Sequence, residues 1–97
     1  SLTDPTGNLA LAMGANTTAS GGYSTAIGGA TTASGTYSTA MGFSTIASGY
    51  SSTAMGYDTT ASGIASTAIG YRSQATVHGA VAIGSYVINS DTNSVAL

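Results

Sequence analysis

Glycine recurs at every seventh residue through nearly two thirds of the chain, at Gly14, Gly21, Gly28, Gly35, Gly42, Gly49, Gly56, Gly63 and Gly70. Val77 interrupts the series and Gly84 resumes it. A fixed internal period constrains architecture before any residue is read singly, because each repeat has to form one unit that stacks on the next.

The glycines are of two kinds. Gly14, Gly28, Gly42, Gly56, Gly70 and Gly84 each follow alanine plus a long apolar residue, as in Ala26-Ile27-Gly28 and Ala54-Met55-Gly56. Gly21, Gly35, Gly49 and Gly63 each close the phrase Ala-Ser-Gly. The unit is therefore fourteen residues with two halves, and about six and a half units fit residues 8–97. A coiled coil is excluded. Glycine costs about 0.8–1 kcal/mol in a helix relative to alanine, here every second turn, and no charged flanking positions accompany the period. Collagen is excluded because glycine is not every third residue.

A strand reading fits. Ser24-Thr25-Ala26-Ile27-Gly28 alternates with period two and ends at a turn former. Thr31-Thr32-Ala33-Ser34-Gly35 is a second, shorter strand. Two strands and two turns per unit predict one coil of a narrow, all-β parallel solenoid, with successive coils about 4.8 Å apart and a rod of roughly 30 Å. Like residues then form ladders along the rod. Glycine is expected at the corners, where it accepts positive φ. Residues 8–97 carry the repeat, and residues 1–7 form a lead-in outside it. The final Asn93-Ser94-Val95-Ala96-Leu97 starts a unit without completing it, so the chain is expected to be part of something longer.

Composition narrows function. Only Asp4, Asp58, Arg72 and Asp91 are charged. That excludes a basic nucleic-acid surface and a polybasic membrane patch. Phe, Ile, Leu and Val supply only about 15% of the residues, a share usual in disordered chains. Disorder normally also requires high net charge, and here the formal charge is −2. Ladder hydrogen bonds and close packing of small residues take the place of a bulky core. No apolar run is long enough to span a membrane as a helix. Cysteine is absent, so neither a disulfide nor a thiolate metal site is available.

Strand alternation divides the first half-unit into two faces. Ser24, Ala26 and Gly28 share one, and Thr25 and Ile27 the other. The second division recurs as Thr39/Met41, Thr53/Met55, Thr67/Ile69 and Val81/Ile83, with Met13 in the first unit. Alanine and glycine from both half-units would fill a thin coil, leaving the long side chains as an outer stripe. The opposite arrangement, with Ile and Met inside, satisfies the same alternation. Burying one Ile or Met contributes about 1.5–3 kcal/mol, and a continuous apolar stripe is a surface for association. Self-association with cyclic symmetry would bury it. The number of chains does not follow from the period.

Val81-Ala82-Ile83-Gly84, Asn93-Ser94-Val95-Ala96-Leu97 and the four Ser-Thr-Ala-(Ile/Met)-Gly variants resemble the head repeat of YadA-like trimeric autotransporter adhesins. The resemblance covers about residues 8–97. It implies a left-handed parallel β-roll, three rolls side by side in a homotrimer, and a bacterial cell-surface protein anchored in the outer membrane that attaches to host cells or matrix proteins. This chain departs from the pattern with Thr25, Thr39, Thr53 and Thr67 in place of valine.

Chemistry is sparse. One histidine, His78, and three aspartates fall at different phases of the repeat, and neither a catalytic group nor a cofactor site is expected. Calcium-binding rolls need acidic or carbonyl oxygens in each turn, which scattered aspartates do not supply. His78 is expected in a surface turn. Phe43, Tyr57 and Tyr71 follow the glycine of three successive units and predict an aromatic ladder, with Tyr23 and Tyr37 forming a shorter one. Such a ladder either stiffens the rod by ring stacking or contacts an extended protein ligand. Arg72 lies beside it and is placed for a cation–π contact. Thr17, Thr31, Thr45 and Thr59, next to Thr18, Thr32 and Thr60, suggest a rival threonine-ladder surface of the ice-binding kind, although adjacent strand residues point to opposite faces. A purely structural spacer is a further reading.

Overall fold

The computed structural model describes residues 3–97. It contains fourteen short strands, and no helix among the described residues. Thr3–Asp4 (β1), Thr17–Ala19 (β3), Thr32–Ala33 (β5), Ile46–Ala47 (β7), Thr60–Ala61 (β9), Gln74–Ala75 (β11) and Ile88–Asn89 (β13) form one sheet in that order. Leu11–Ala15 (β2), Thr25–Gly29 (β4), Thr39–Phe43 (β6), Thr53–Tyr57 (β8), Thr67–Tyr71 (β10), Val81–Ser85 (β12) and Val95–Ala96 (β14) form the other. Every pairing is parallel and offset by fourteen residues, as in Ala40↔Ala54, Met41↔Met55 and Ala47↔Ala61. The chain is a parallel β-solenoid measuring 33 × 22 × 10 Å.

The register extends further back than the sequence suggests. Thr3 and Asp4 pair with Thr17 and Thr18, so the lead-in takes up the same winding. Ser1 and Leu2 lie outside the described residues.

The two strand faces resolve in favour of alanine inside. Ala26, Ala40, Ala54, Ala68 and Ala82 from the long strands, and Ala19, Ala33, Ala47, Ala61 and Ala75 from the short ones, are fully buried. Thr25, Thr39, Thr53 and Thr67 point outward with Ile27, Met41, Met55 and Ile69, and all are half-buried. Small inner residues let the two sheets approach closely, which is why the smallest dimension is only 10 Å.

The threonine ladder is a correction. Thr17, Thr31, Thr45 and Thr59 lie inside the coil at 0–1% exposure, not on a surface. Thr18, Thr32 and Thr60 are half-buried on the other side of their strands, and exposed Ile46 interrupts them. The two rows therefore occupy opposite faces, and no flat external double row of threonine exists.

Those inner threonines share the interior with Ser24, Ser38, Ser52 and Ser66, and the hydroxyls of all eight residues find no protein hydrogen-bond partner. A buried polar group without a partner costs about 1–3 kcal/mol. Ala80 stands at the equivalent of Ser66 one coil on and is equally buried, so alanine fits the space. Ser52→Ala is therefore expected to stabilise the roll by about 1 kcal/mol, read as a higher midpoint in chemical denaturation. An unchanged or lower midpoint would mean that the hydroxyl is satisfied.

The glycines have two tasks, only one of which is conformational. Gly42 adopts φ 118°, a conformation that side chains rarely tolerate. Gly49 does not have positive φ; instead a Cβ there would collide with the Gly63 carbonyl oxygen of the next coil. The left-handed corners belong mostly to other residues. Leu9, Asn16, Tyr23, Ala30, Tyr37, Ser44, Ser51, Asp58, Ala65 and Arg72 all have φ between 53° and 60°. From Tyr23 to Arg72 each corner is fixed by the chain one coil back, as where Ser51 N–H donates to the Thr36 carbonyl at 2.8 Å.

Near Val77 the pattern changes. Ser62 and Gly63 both donate to the Ala75 carbonyl through backbone N–H groups, but at the next level the Asn89 carbonyl accepts from one residue, through the Thr76 N–H at 3.1 Å and the Thr76 hydroxyl at 3.4 Å. Asn89 occupies an inner alanine position and is 4% exposed. Its Nδ2 donates to the Val81 and Ser94 carbonyls, at 2.9 and 3.0 Å. Its Oδ1 accepts from Asp91 N–H at 3.0 Å and Ser94 Oγ at 2.9 Å. A larger polar residue is accommodated inside because every hydrogen-bonding position of its amide is used.

Candidate functional site

Two surfaces stand out, and both arise from the long-strand sheet. Outward residues of a strand fall on every second position, so each long strand displays a first outward residue, a second two positions on, and its last residue. In register these form three rows. The first holds Thr25, Thr39, Thr53, Thr67 and Val81, and all five are half-buried. The second holds Met13, Ile27, Met41, Met55, Ile69 and Ile83. Met13 is 53% exposed and Ile83 39%, and the others are half-buried. The row contains no charged side chain, and pairing keeps it in line from β2 to β12.

The third row is aromatic. Phe43, Tyr57 and Tyr71 are the last residues of β6, β8 and β10. Their rings stack at 5.5 and 5.2 Å between centroids, within 14° of parallel. Gly29 occupies the same position on β4, and Phe43 lies over it. Because ring faces cover one another along the rod, what each residue exposes is its edge. Tyr86 extends the row with an edge-on contact to Tyr71 at 5.4 Å.

The opposite end of the long strands carries a second aromatic group. Tyr23 and Tyr37 stack at 5.2 Å. Tyr50 adds an edge-on contact to Tyr37 at 5.7 Å. Sequence reading missed Tyr50 and Tyr86 because each sits one position out of phase with its row. The signal was available, since a corner spans two residues and either can reach a neighbouring ring.

Charge is concentrated at one corner. Asp58 and Arg72 occupy the same corner position in successive coils and form an ion pair at 3.5 Å, both about half exposed. Exposed pairs of this kind contribute at most about 1 kcal/mol. The Arg72 guanidinium also lies 5.5 Å from the Tyr71 ring centroid, the cation–π contact that the sequence places there. His78 lies exposed in a turn, as expected. Among the described residues no three His, Asp or Glu side chains converge on a point.

A regular parallel solenoid with an uncharged apolar face and aromatic edges defines a repeat protein built to display surface. Comparison with protein families places it further. The model of the YadA head domain repeat matches residues 6–31, 19–45, 33–59, 47–73 and 61–86. The chain belongs to the YadA head domain family, an adhesin-type family rather than an enzymatic one, and one that suggests a cell-surface setting. A search among curated proteins gave no match.

Proposed function

We propose that this chain is the head of a homotrimeric bacterial surface adhesin, displayed from the outer membrane, which attaches non-covalently to host cells or extracellular-matrix proteins. The observation that carries the reading is the unbroken Thr and Ile/Met face, held in register and partly withdrawn from water even in a single chain. Such a face is too continuous to leave exposed.

Geometry supports three copies. A long strand of five residues spans about 16 Å at 3.3 Å per residue. Three such faces arranged as a triangle leave an axis about 5 Å from each, a gap that Thr, Ile and Met side chains fill. Cyclic symmetry closes the assembly without leaving a free copy of the face. The seam then comprises Met13, Ile27, Met41, Met55, Ile69 and Ile83 with the threonine row beside them.

Attachment works by repetition. Phe43, Tyr57 and Tyr71 offer a ligand-contact ladder on each copy, and linked weak contacts raise avidity without any single strong site. Sedimentation of the purified chain followed by a panel of matrix proteins tests the reading. A trimer that binds at least one of them supports it. A trimer that binds none is a spacer, and a monomer that binds none removes the trimer as well.

Few charges are available to be screened, so attachment is expected to change by less than roughly twofold over a tenfold change in ionic strength. A steep loss with added salt, measured by surface plasmon resonance, would contradict this.

A further inference from the structure

The two aromatic edges lie at opposite ends of the same strands, and their levels match. Tyr37 precedes β6 and Phe43 ends it. Tyr50 precedes β8 and Tyr57 ends it. Ile64 precedes β10 and Tyr71 ends it. All six side chains are 41–53% exposed in the single chain. The coincidence begins at β6, since Tyr23 precedes β4 but Gly29 ends it; on β12 Ser85 ends the strand, with His78 before it and Tyr86 one residue beyond it. Bulky residues therefore face outward from both ends at three successive levels.

A cyclic assembly around an axis parallel to the rod brings unlike ends together, because its contacts are heterologous. At each corner of the triangle the C-terminal ends of one copy's long strands meet the N-terminal ends of the next copy's, level by level. At these three levels Asp58 and Arg72 are the charged residues at the strand ends, and they pair with each other. Aromatic edges are well suited to it, since edge-to-face contacts between rings are favourable.

We propose, resting on the trimeric reading above, that the aromatic strip is composite: Phe43, Tyr57 and Tyr71 of one copy pack beside Tyr37, Tyr50 and Ile64 of the next copy. The occupant of this edge is a second copy of the chain. The strip offered to a ligand is then complete only in the assembly, with three identical strips around the rod, each built from two chains. The argument rests on the continuity of these edges with the Ile/Met face and on the shared level of their residues.

Cysteine cross-linking tests the proposal, and the absence of native cysteine makes it clean. Tyr50→Cys and Tyr57→Cys are introduced together and oxidised with copper–phenanthroline. The expected main product on a denaturing gel is a covalent trimer. Tyr37→Cys with Phe43→Cys repeats the geometry one level away, should the first pair fail to fold. Tyr23→Cys with Tyr71→Cys is the mismatched control, three levels or about 14 Å apart, and is expected to stay uncrosslinked. Native protein that sediments as a trimer while the matched pairs give only monomers on the gel would overturn the composite strip and leave the trimer standing. Equal cross-linking of matched and mismatched pairs would also overturn it. A native monomer would remove both the strip and the reading beneath it.

Discussion

Gly49→Ala is expected to destabilise the roll by about 3 kcal/mol, the upper end of what overpacking costs. The added Cβ would collide with the backbone of the next coil at the Gly63 carbonyl and would lie 2.9 Å from the Ser62 oxygen. Neither obstacle is a flexible side chain. Relief by moving the coils apart is blocked, because Ser48 and Gly49 both donate to the Ala61 carbonyl, at 2.9 and 3.3 Å. At about 4–8 °C of melting temperature per kcal/mol for a domain of this size, the drop should be about 15 °C. Gly22→Ala supplies the control. A Cβ there would meet only the Thr36 Cγ2 at 3.8 Å, an ordinary contact, and φ is not positive. That variant should match the parent or exceed it by about 0.4–1 kcal/mol, since alanine restricts the unfolded chain. Similar melting temperatures for the two variants would show that coil-to-coil approach is not what selects glycine.

On the trimeric reading proposed above, Met55→Asp is expected to dissolve the assembly. Met55 sits near the middle of the outward row on β8, where the proposed axis brings three copies together. Three carboxylates would converge there without partners, and an unpaired buried charge costs several kcal/mol. Sedimentation should report a folded monomer with strand content unchanged. Thr60→Asp places the same charge on β9 of the other sheet, away from the seam, and should leave the assembly intact. If Met55→Asp still sediments as a trimer, the Ile/Met face does not line the axis.

The winding was legible because the fourteen-residue repeat writes it several times over. Ala54 and Met55 are adjacent and differ greatly in size, so alternation separates inside from outside once the coil is known to be thin. The inner threonines were harder. Thr31 and Thr32 are identical, and nothing in the pair says which one turns inward; only the position of Ala33, two residues after Thr31, fixes it. The glycines misled for a related reason. Positive φ and the lack of a side chain are separate properties, and the sequence does not say which one Gly42 or Gly49 is selected for. The corner residues Ala30, Ala65 and Arg72 carry no turn signature at all; the hydrogen bond from each to the coil before it holds them in the left-handed region. Asn89 was passed over because it occurs once, and a repeat reading weights what recurs. Three of its four hydrogen bonds depend on Ser94 and Asp91 closing around it, and the fourth reaches the Val81 carbonyl.

The most direct test of the winding is the thermal unfolding of two deletions. Removing residues 43–56 takes out one whole unit and rejoins Gly42 to Tyr57, so every ladder keeps its phase. Removing residues 50–56 keeps the seven-residue glycine spacing but sets long strands against short ones. The first protein should unfold in a single cooperative transition as a roll one coil shorter, and the second should show no such transition. Equal tolerance of both deletions, or collapse of the first, would contradict a fourteen-residue coil.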